Sequence, residues 1–235
     1  RSGFSTEMIK ANVAGLRKLV AGLEWKQLSS TWADYANDNS YTEEDAAEKA
    51  SFVRSVVQAR QRRLVWDIGC NTGTFSRIAA ENSNYVIAMD FDHLAVERLY
   101  RTLKKEGSGT ILPLVMNLAN ASPNHGWRGL ERKALTERTR PDLVLSLALI
   151  HHMVIGANVP LAEFVAWIAS LGSDLVIEFV SKDDPMVKVL LRNREDQYDD
   201  YTLENFRRVL GSHFTIRRES PISSGTRVLF HAERP

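Results

Sequence analysis

Between residues 64 and 180 one pattern recurs: a short, almost continuous apolar run, then a stretch with helical periodicity. The runs are Leu64–Ile68, Tyr85–Asp90, Thr110–Met116, Leu143–Leu147 and Asp174–Val180, with Phe75–Ala80 and His93–Lys105 among the helical stretches. A strand that is apolar on both sides has to be covered on both faces. Such strands alternating with helices restrict the chain to a parallel sheet between two helical layers. The end breaks the pattern. His213–Glu219 and Arg227–Ala232 flank Ser223-Ser224-Gly225-Thr226, and strands joined by a tight turn are antiparallel neighbours. The expectation is an α/β fold with seven strands, mostly parallel, closed by a C-terminal antiparallel hairpin.

Ahead of this lies a helical cap segment. Met8, Ile9, Val13, Leu16, Leu19, Val20 and Leu23 fall at helical spacing over residues 5 to 28. After a polar, aromatic loop that includes Tyr35 and Tyr41, Thr42 can cap a helix running to Arg60, with Glu43, Glu44 and Asp45 in its first turn. The division is therefore 1–60 for the cap and 61–235 for the main domain. Thirty basic residues against 29 acidic ones argue against a dedicated nucleic-acid binder. The single cysteine, Cys70, excludes internal disulfides and points to a reducing, cytoplasmic setting. No apolar run approaches the roughly 20 residues of a membrane span. The chain starts at Arg1 rather than Met, so it is expected to be part of a longer multidomain protein.

The chemistry concentrates where the first strand ends, in Asp67-Ile68-Gly69-Cys70-Asn71-Thr72-Gly73-Thr74-Phe75. Glycines there let a ligand approach the backbone, and the following helix offers free N–H groups. The spacing is not the G-x-G-x-x-G of dinucleotide sites. The second strand ends in Asp90, 90 − 67 = 23 positions later, where an acid can accept both hydroxyls of a ribose.

With Asp67-x-Gly69-x-Asn71-x-Gly73, Asp90 and the terminal hairpin, residues 64–235 resemble a class I S-adenosylmethionine-dependent methyltransferase. The resemblance implies a Rossmann-like sheet, S-adenosylmethionine as cofactor and S-adenosylhomocysteine as product. It assigns Asp67, Gly69, Asn71 and Gly73 to the methionine end, although the family usually has glycine at 71. It further assigns Asp90 to the ribose, Phe91 beside the adenine, Asn117 to the adenine edge, and Leu147 and Ala148 to the cofactor wall. Tyr35 and Tyr41 are expected either to close over the site from the cap or to pack into the core. Tyr35…Asn39-Ser40-Tyr41, Gly126-Trp127-Arg128-Gly129 and Leu149-Ile150-His151-His152 also resemble a smaller, NoeA-like group related to rhizobial nodulation proteins.

His151 and His152 follow the fourth strand on the edge where open α/β sheets bind ligands. A neutral imidazole there suits removal of the acceptor's proton, and plain packing is the alternative. Two adjacent histidines without nearby acids or cysteines make a poor metal site, so no metal is expected. Glu178, inside the fifth strand, is either an acid that orients His151 or half of a buried ion pair. The insertion 120–140, with Arg128 and Arg132, is either an anion clamp or a solvated charged helix. Ser146-Leu147-Ala148-Leu149 is not the Asp/Asn-Pro-Pro-aromatic turn of base N-methylation, so nucleic acid is disfavoured as acceptor. The expected partner is a small-molecule or carbohydrate-like acceptor, methylated at oxygen, with no membrane involvement. The alternatives are a nicotinamide-dependent oxidoreductase and a catalytically silent, methyltransferase-like binding domain.

Overall fold

The computed structural model describes residue 3 and residues 5–24, 42–192 and 195–235. Its helices are Thr6–Ala21 (α1), Glu43–Ala59 (α2), Thr74–Ala80 (α3), His93–Glu106 (α4), Leu135–Arg138 (α5), Leu161–Ser170 (α6), Pro185–Leu191 (α7) and Leu203–His213 (α8). Its strands are Arg62–Ile68 (β1), Ser83–Asp90 (β2), Ile111–Val115 (β3), Leu143–Ser146 (β4), Asp174–Val180 (β5), Thr215–Pro221 (β6) and Arg227–Glu233 (β7).

These seven strands form one sheet in the order β3-β2-β1-β4-β5-β7-β6. The first five are parallel, and β7 runs antiparallel to both β5 and β6. The sequence-derived architecture is thus observed. The order reverses between β1 and β4, which pair with Ile68 opposite Ser146. Crossovers leave in opposite directions from that point, so a crevice opens beyond the C-terminal ends of these two strands.

Strand periodicity divides the core into two layers. Trp66, Ile68, Val144, Ile177, Phe179 and Phe230 face a cluster that includes Phe164 and Ile168 of α6 and Phe206 and Leu210 of α8. Val65, Leu143, Leu145, Val176 and Leu229 face Phe52, Val53, Val56 and Val57 of α2, with Ile78 and Ala79 of α3. The helix α2 is therefore a structural layer of the sheet. It starts with a capping box, in which Thr42 and Asp45 exchange side-chain-to-backbone hydrogen bonds, as its sequence indicates.

Two expectations need adjustment. The amphipathic pattern at the N-terminus forms a helix that stops at Ala21, capped by Gly22, short of residue 28. Its apolar face stays open, with Met8 to Leu23 between 52% and 69% exposed. Residues 120–140 are turns and the four-residue α5 rather than a charged helix, because Gly126 and Gly129 take positive φ and break helical continuity.

Phe206 of α8 packs across the neighbouring strands β5 and β7. Its ring stacks on Phe179 at 5.2 Å and meets Phe230 edge-on at 5.2 Å. Truncation to alanine leaves a cavity that neighbouring rings cannot fill. We expect Phe206→Ala to cost about 3–5 kcal/mol, read as a lower midpoint in urea or guanidinium unfolding.

Candidate active site

The loop after β1 is held by its own backbone. Gly69 and Cys70 both donate to the carbonyl of Met89, at 2.8 and 3.0 Å, which ties the loop to the end of β2. Gly69, Asn71 and Gly73 all have positive φ, at 79°, 49° and 85°. A Cβ on Gly73 would lie 2.5 Å from a methyl of Leu99, so only glycine fits there. Asn71 stands where glycine is usual, and asparagine is the side chain that best tolerates left-handed backbone. Its Oδ1 accepts the Thr72 N–H at 2.7 Å, which fixes the same turn.

Asp90 closes this loop from the β2 side. One carboxylate oxygen accepts the Asn71 N–H at 2.8 Å, and the other accepts the Asp92 N–H at 2.9 Å. Burial raises its pKa, and these N–H donors oppose the rise by stabilising the charge. The Phe91 N–H is a third backbone donor to this carboxylate, so of its roughly four acceptor positions about one stays open to a further donor. Asp92 is spent on capping α4 through the N–H groups of Leu94 and Ala95. Phe91, half exposed, is the residue at this strand end that presents an apolar ring.

Asp67 is 2% exposed and accepts the Ser76 hydroxyl at 2.5 Å. Burial above all, with the charge of Asp90, pushes its carboxyl up to about 6. A buried carboxylate so raised fits a cationic ligand group, which would relieve the cost of ionising it. Cys70 is buried against the same loop, and burial pushes its thiol well up, so it stays protonated.

Across the crevice, Leu147 is buried and Ala148 half-buried just past β4, with Ala148 at φ +50°. The next residue, Leu149, is the nearest side chain to Gly69, where a Cβ would approach its methyl at 3.1 Å. Asn117 lies beyond β3, exposed, its Oδ1 capping a short turn through the Ala119 N–H. The structure thus gathers Asp67, Gly69, Asn71, Gly73, Asp90, Phe91, Asn117, Leu147 and Ala148 at the C-terminal ends of β1 to β4. Tyr41 and Tyr35 lie outside the described residues.

The two histidines differ. His151 is fully buried, and both its nitrogens lack a hydrogen-bond partner among the described residues. Its ring lies 4.1 Å from that of His152, tilted by 40°. Burial pushes His151 well below the usual histidine range, and brings half-buried His152 down to about 4. Both are neutral at pH 7. Glu178 makes no hydrogen bond to either nitrogen of His151. It pairs with Lys49 at 2.6 Å and Arg227 at 3.4 Å and accepts the Ala148 N–H at 2.8 Å. Of the two sequence readings, the ion pair describes these contacts. Lys49 and Arg227 escaped sequence inspection. The one available signal was Lys49 lying three and four positions before Phe52 and Val53, on the apolar stripe of α2.

Among the described residues no group of three or more His, Cys, Asp and Glu could hold a metal ion, and no helix is long and apolar enough to cross a membrane. Ionising Asp67 carries a cost in the folded chain. Its folded-state carboxyl, near 6, is above the usual value of 3.8, so stability falls as pH rises from about 4 to 6 and the buried group ionises. Asp67→Asn should therefore stabilise the ligand-free protein by about 3 kcal/mol at pH 7.5 and by only about 1 kcal/mol at pH 4.5. Thermal unfolding at the two pH values reads this directly.

No family model matches the chain. The chain is 36% identical over 232 residues to the nodulation protein NoeA of Rhizobium meliloti strain 1021, covering 97% of this chain and 48% of that protein. It therefore spans about half the length of that relative. Among solved structures, the N-methyltransferase NodS of Bradyrhizobium japonicum WM9 with S-adenosylhomocysteine aligns over 88% of this chain and 100% of its own (TM-score 0.60, 12% identity). Magnesium protoporphyrin IX methyltransferase of Synechocystis PCC 6803, with S-adenosylmethionine bound, aligns over 100% of both chains (TM-score 0.56, 15% identity). Strand order, terminal hairpin and these neighbours agree: the chain has the fold of the S-adenosylmethionine-dependent methyltransferases, and in sequence it is related to a rhizobial nodulation protein.

Proposed function

We propose that this chain binds S-adenosylmethionine at the β1/β4 edge and transfers its methyl group to a small-molecule or carbohydrate-like acceptor at oxygen. The observation that carries the reading is Asp90, whose carboxylate ties the glycine loop to the turn into α4 and keeps acceptor capacity toward a ribose. Gly69 and Gly73 leave the backbone open to the methionine end, and ionised Asp67 would face its ammonium. Phe91 would lie beside the adenine, with Asn117 at its edge and Leu147 and Ala148 forming the opposite wall. The cofactor supplies an electrophilic methyl on a sulfonium, a good leaving group.

The protein's work is then to align the acceptor in line with that methyl and to take its proton. His152 is the group we assign to the proton, since it is neutral and only half-buried, whereas His151 packs beneath it. With a pKa near 4, His152 is a weak base, and its contribution belongs at the low end of such effects. The NodS neighbour is named for transfer to nitrogen, which makes amines a control arm among candidate acceptors. The compartment we propose is the cytoplasm, with 1–60 as a cap on the catalytic unit.

The pH dependence separates two groups. At saturating S-adenosylmethionine, kcat should stay flat from about pH 8 to 5.5 because His152 remains neutral above its pKa of about 4. The KM for S-adenosylmethionine should rise below about pH 6, as Asp67 takes up a proton and loses its attraction for the ammonium. A kcat limb near 6.5 would remove His152 from the proposed role. His152→Ala should lower kcat about 10²-fold while S-adenosylhomocysteine still binds. The activity itself is tested by following S-adenosylhomocysteine formation, and label from a tritiated methyl, across fractionated hydroxyl and amine acceptors. Label appearing in no fraction would leave a silent binding domain.

A further inference from the structure

A line of four charged side chains, none more than about 4% exposed, runs behind the cofactor wall. Lys49 of α2 and Arg227 of β7 carry the positive charges, and Glu178 of β5 and Asp184 at the start of α7 the negative ones. Lys49 Nζ reaches Glu178 Oε2 at 2.6 Å, Arg227 Nη1 reaches Glu178 Oε1 at 3.4 Å, and Arg227 Nε reaches Asp184 Oδ2 at 2.7 Å. Charges this deep cost desolvation free energy, and replacing such a set by apolar side chains is often neutral or stabilising. Stability alone is therefore a weak reason for the set to be there.

What it holds is a backbone group. Glu178 Oε2 also accepts the N–H of Ala148 at 2.8 Å. Ala148 adopts φ +50°, a conformation that disfavours a residue with a Cβ and persists only when its surroundings impose it. The turn so fixed sets Leu149 against Gly69, closing the wall of the crevice from the β4 side. Lys49 meanwhile lies 4.8 Å over the ring of Phe75, in the first turn of α3, directly after the glycine loop. One carboxylate thus touches α2, β7 and the strained turn at once.

We infer that Glu178 is a positioning residue for the cofactor: its side-chain oxygen fixes the Ala148 turn and through it the shape of the cofactor wall. The inference rests on the cofactor reading above and adds to it which groups outside the site control affinity.

Two double variants test this. Lys49→Met/Glu178→Gln and Lys49→Met/Glu178→Leu both remove the ion pair without leaving Lys49 uncompensated, and Arg227 keeps Asp184. Only glutamine retains an oxygen for the Ala148 N–H. With folding matched by thermal unfolding, the glutamine variant should bind S-adenosylhomocysteine within about threefold of wild type. The leucine variant should bind at least about tenfold more weakly, the Ala148 N–H having lost its acceptor. Hydrogen exchange at the Ala148 amide, read without cofactor, should be fast in the leucine variant and slow in the glutamine one. Equal affinities in the two variants, or equal exchange, would overturn the positioning role. A wild-type protein that fails to bind S-adenosylhomocysteine while the exchange difference persists would overturn the cofactor reading instead.

Discussion

The carboxylate of Asp90 holds the site together. It ends β2, accepts one N–H from the loop after β1 and one from the turn into α4, and so fixes the positions of three segments at once. Charge-assisted bonds of this kind are among the stronger hydrogen bonds a protein makes. They add to the backbone bonds from Gly69 and Cys70 to Met89 and hold Asn71 at its positive φ. The parallel sheet supplies the rest by bringing the ends of β1, β2 and β4 to one edge, and β1 and β4 meet where the strand order reverses.

Around that edge the protein keeps charges that do not favour the empty fold. Asp67 is raised to about 6 by burial, and four more charged side chains sit behind the β4 turn. The apolar layers on both faces of the sheet offset this cost, with clusters reaching from Phe52 of α2 to Phe206 of α8. Perturbed, buried charges of this kind concentrate at functional sites more often than stability requires. Both histidines stay uncharged for the same physical reason, burial, which is complete at His151 and partial at His152, where the charge of Arg227 adds to it.

Much of this was legible in the sequence because it is local. Continuous apolar runs indicate buried parallel strands, and Asp67, Gly69, Gly73 and Asp90 stand at strand ends that the runs themselves define. The terminal hairpin follows from a turn sequence between two strands. What could not be read is what depends on contacts distant in sequence. Lys49 and Glu178 are 129 positions apart, and only the fold shows that they meet. Glu178 looked equally like an orienting acid because burial inside a strand says nothing about its partner. The two histidines are adjacent in sequence, yet their separate environments emerge only once the π-helical turn at His152–Gly156 places one beneath the other. The exposed face of α1 shows the converse limit, since a regular apolar stripe specifies a helix without specifying what it packs against.

The central claim is that the edge defined by Asp67, the glycine loop and Asp90 takes S-adenosylmethionine. Calorimetric titration with S-adenosylhomocysteine, with NADH as the competing ligand and Asp90→Ala as the control, tests it most directly. The account predicts micromolar binding of S-adenosylhomocysteine that the Asp90→Ala variant loses, and no comparable affinity for NADH. Absence of binding by the folded wild-type protein, or a preference for NADH, would contradict it.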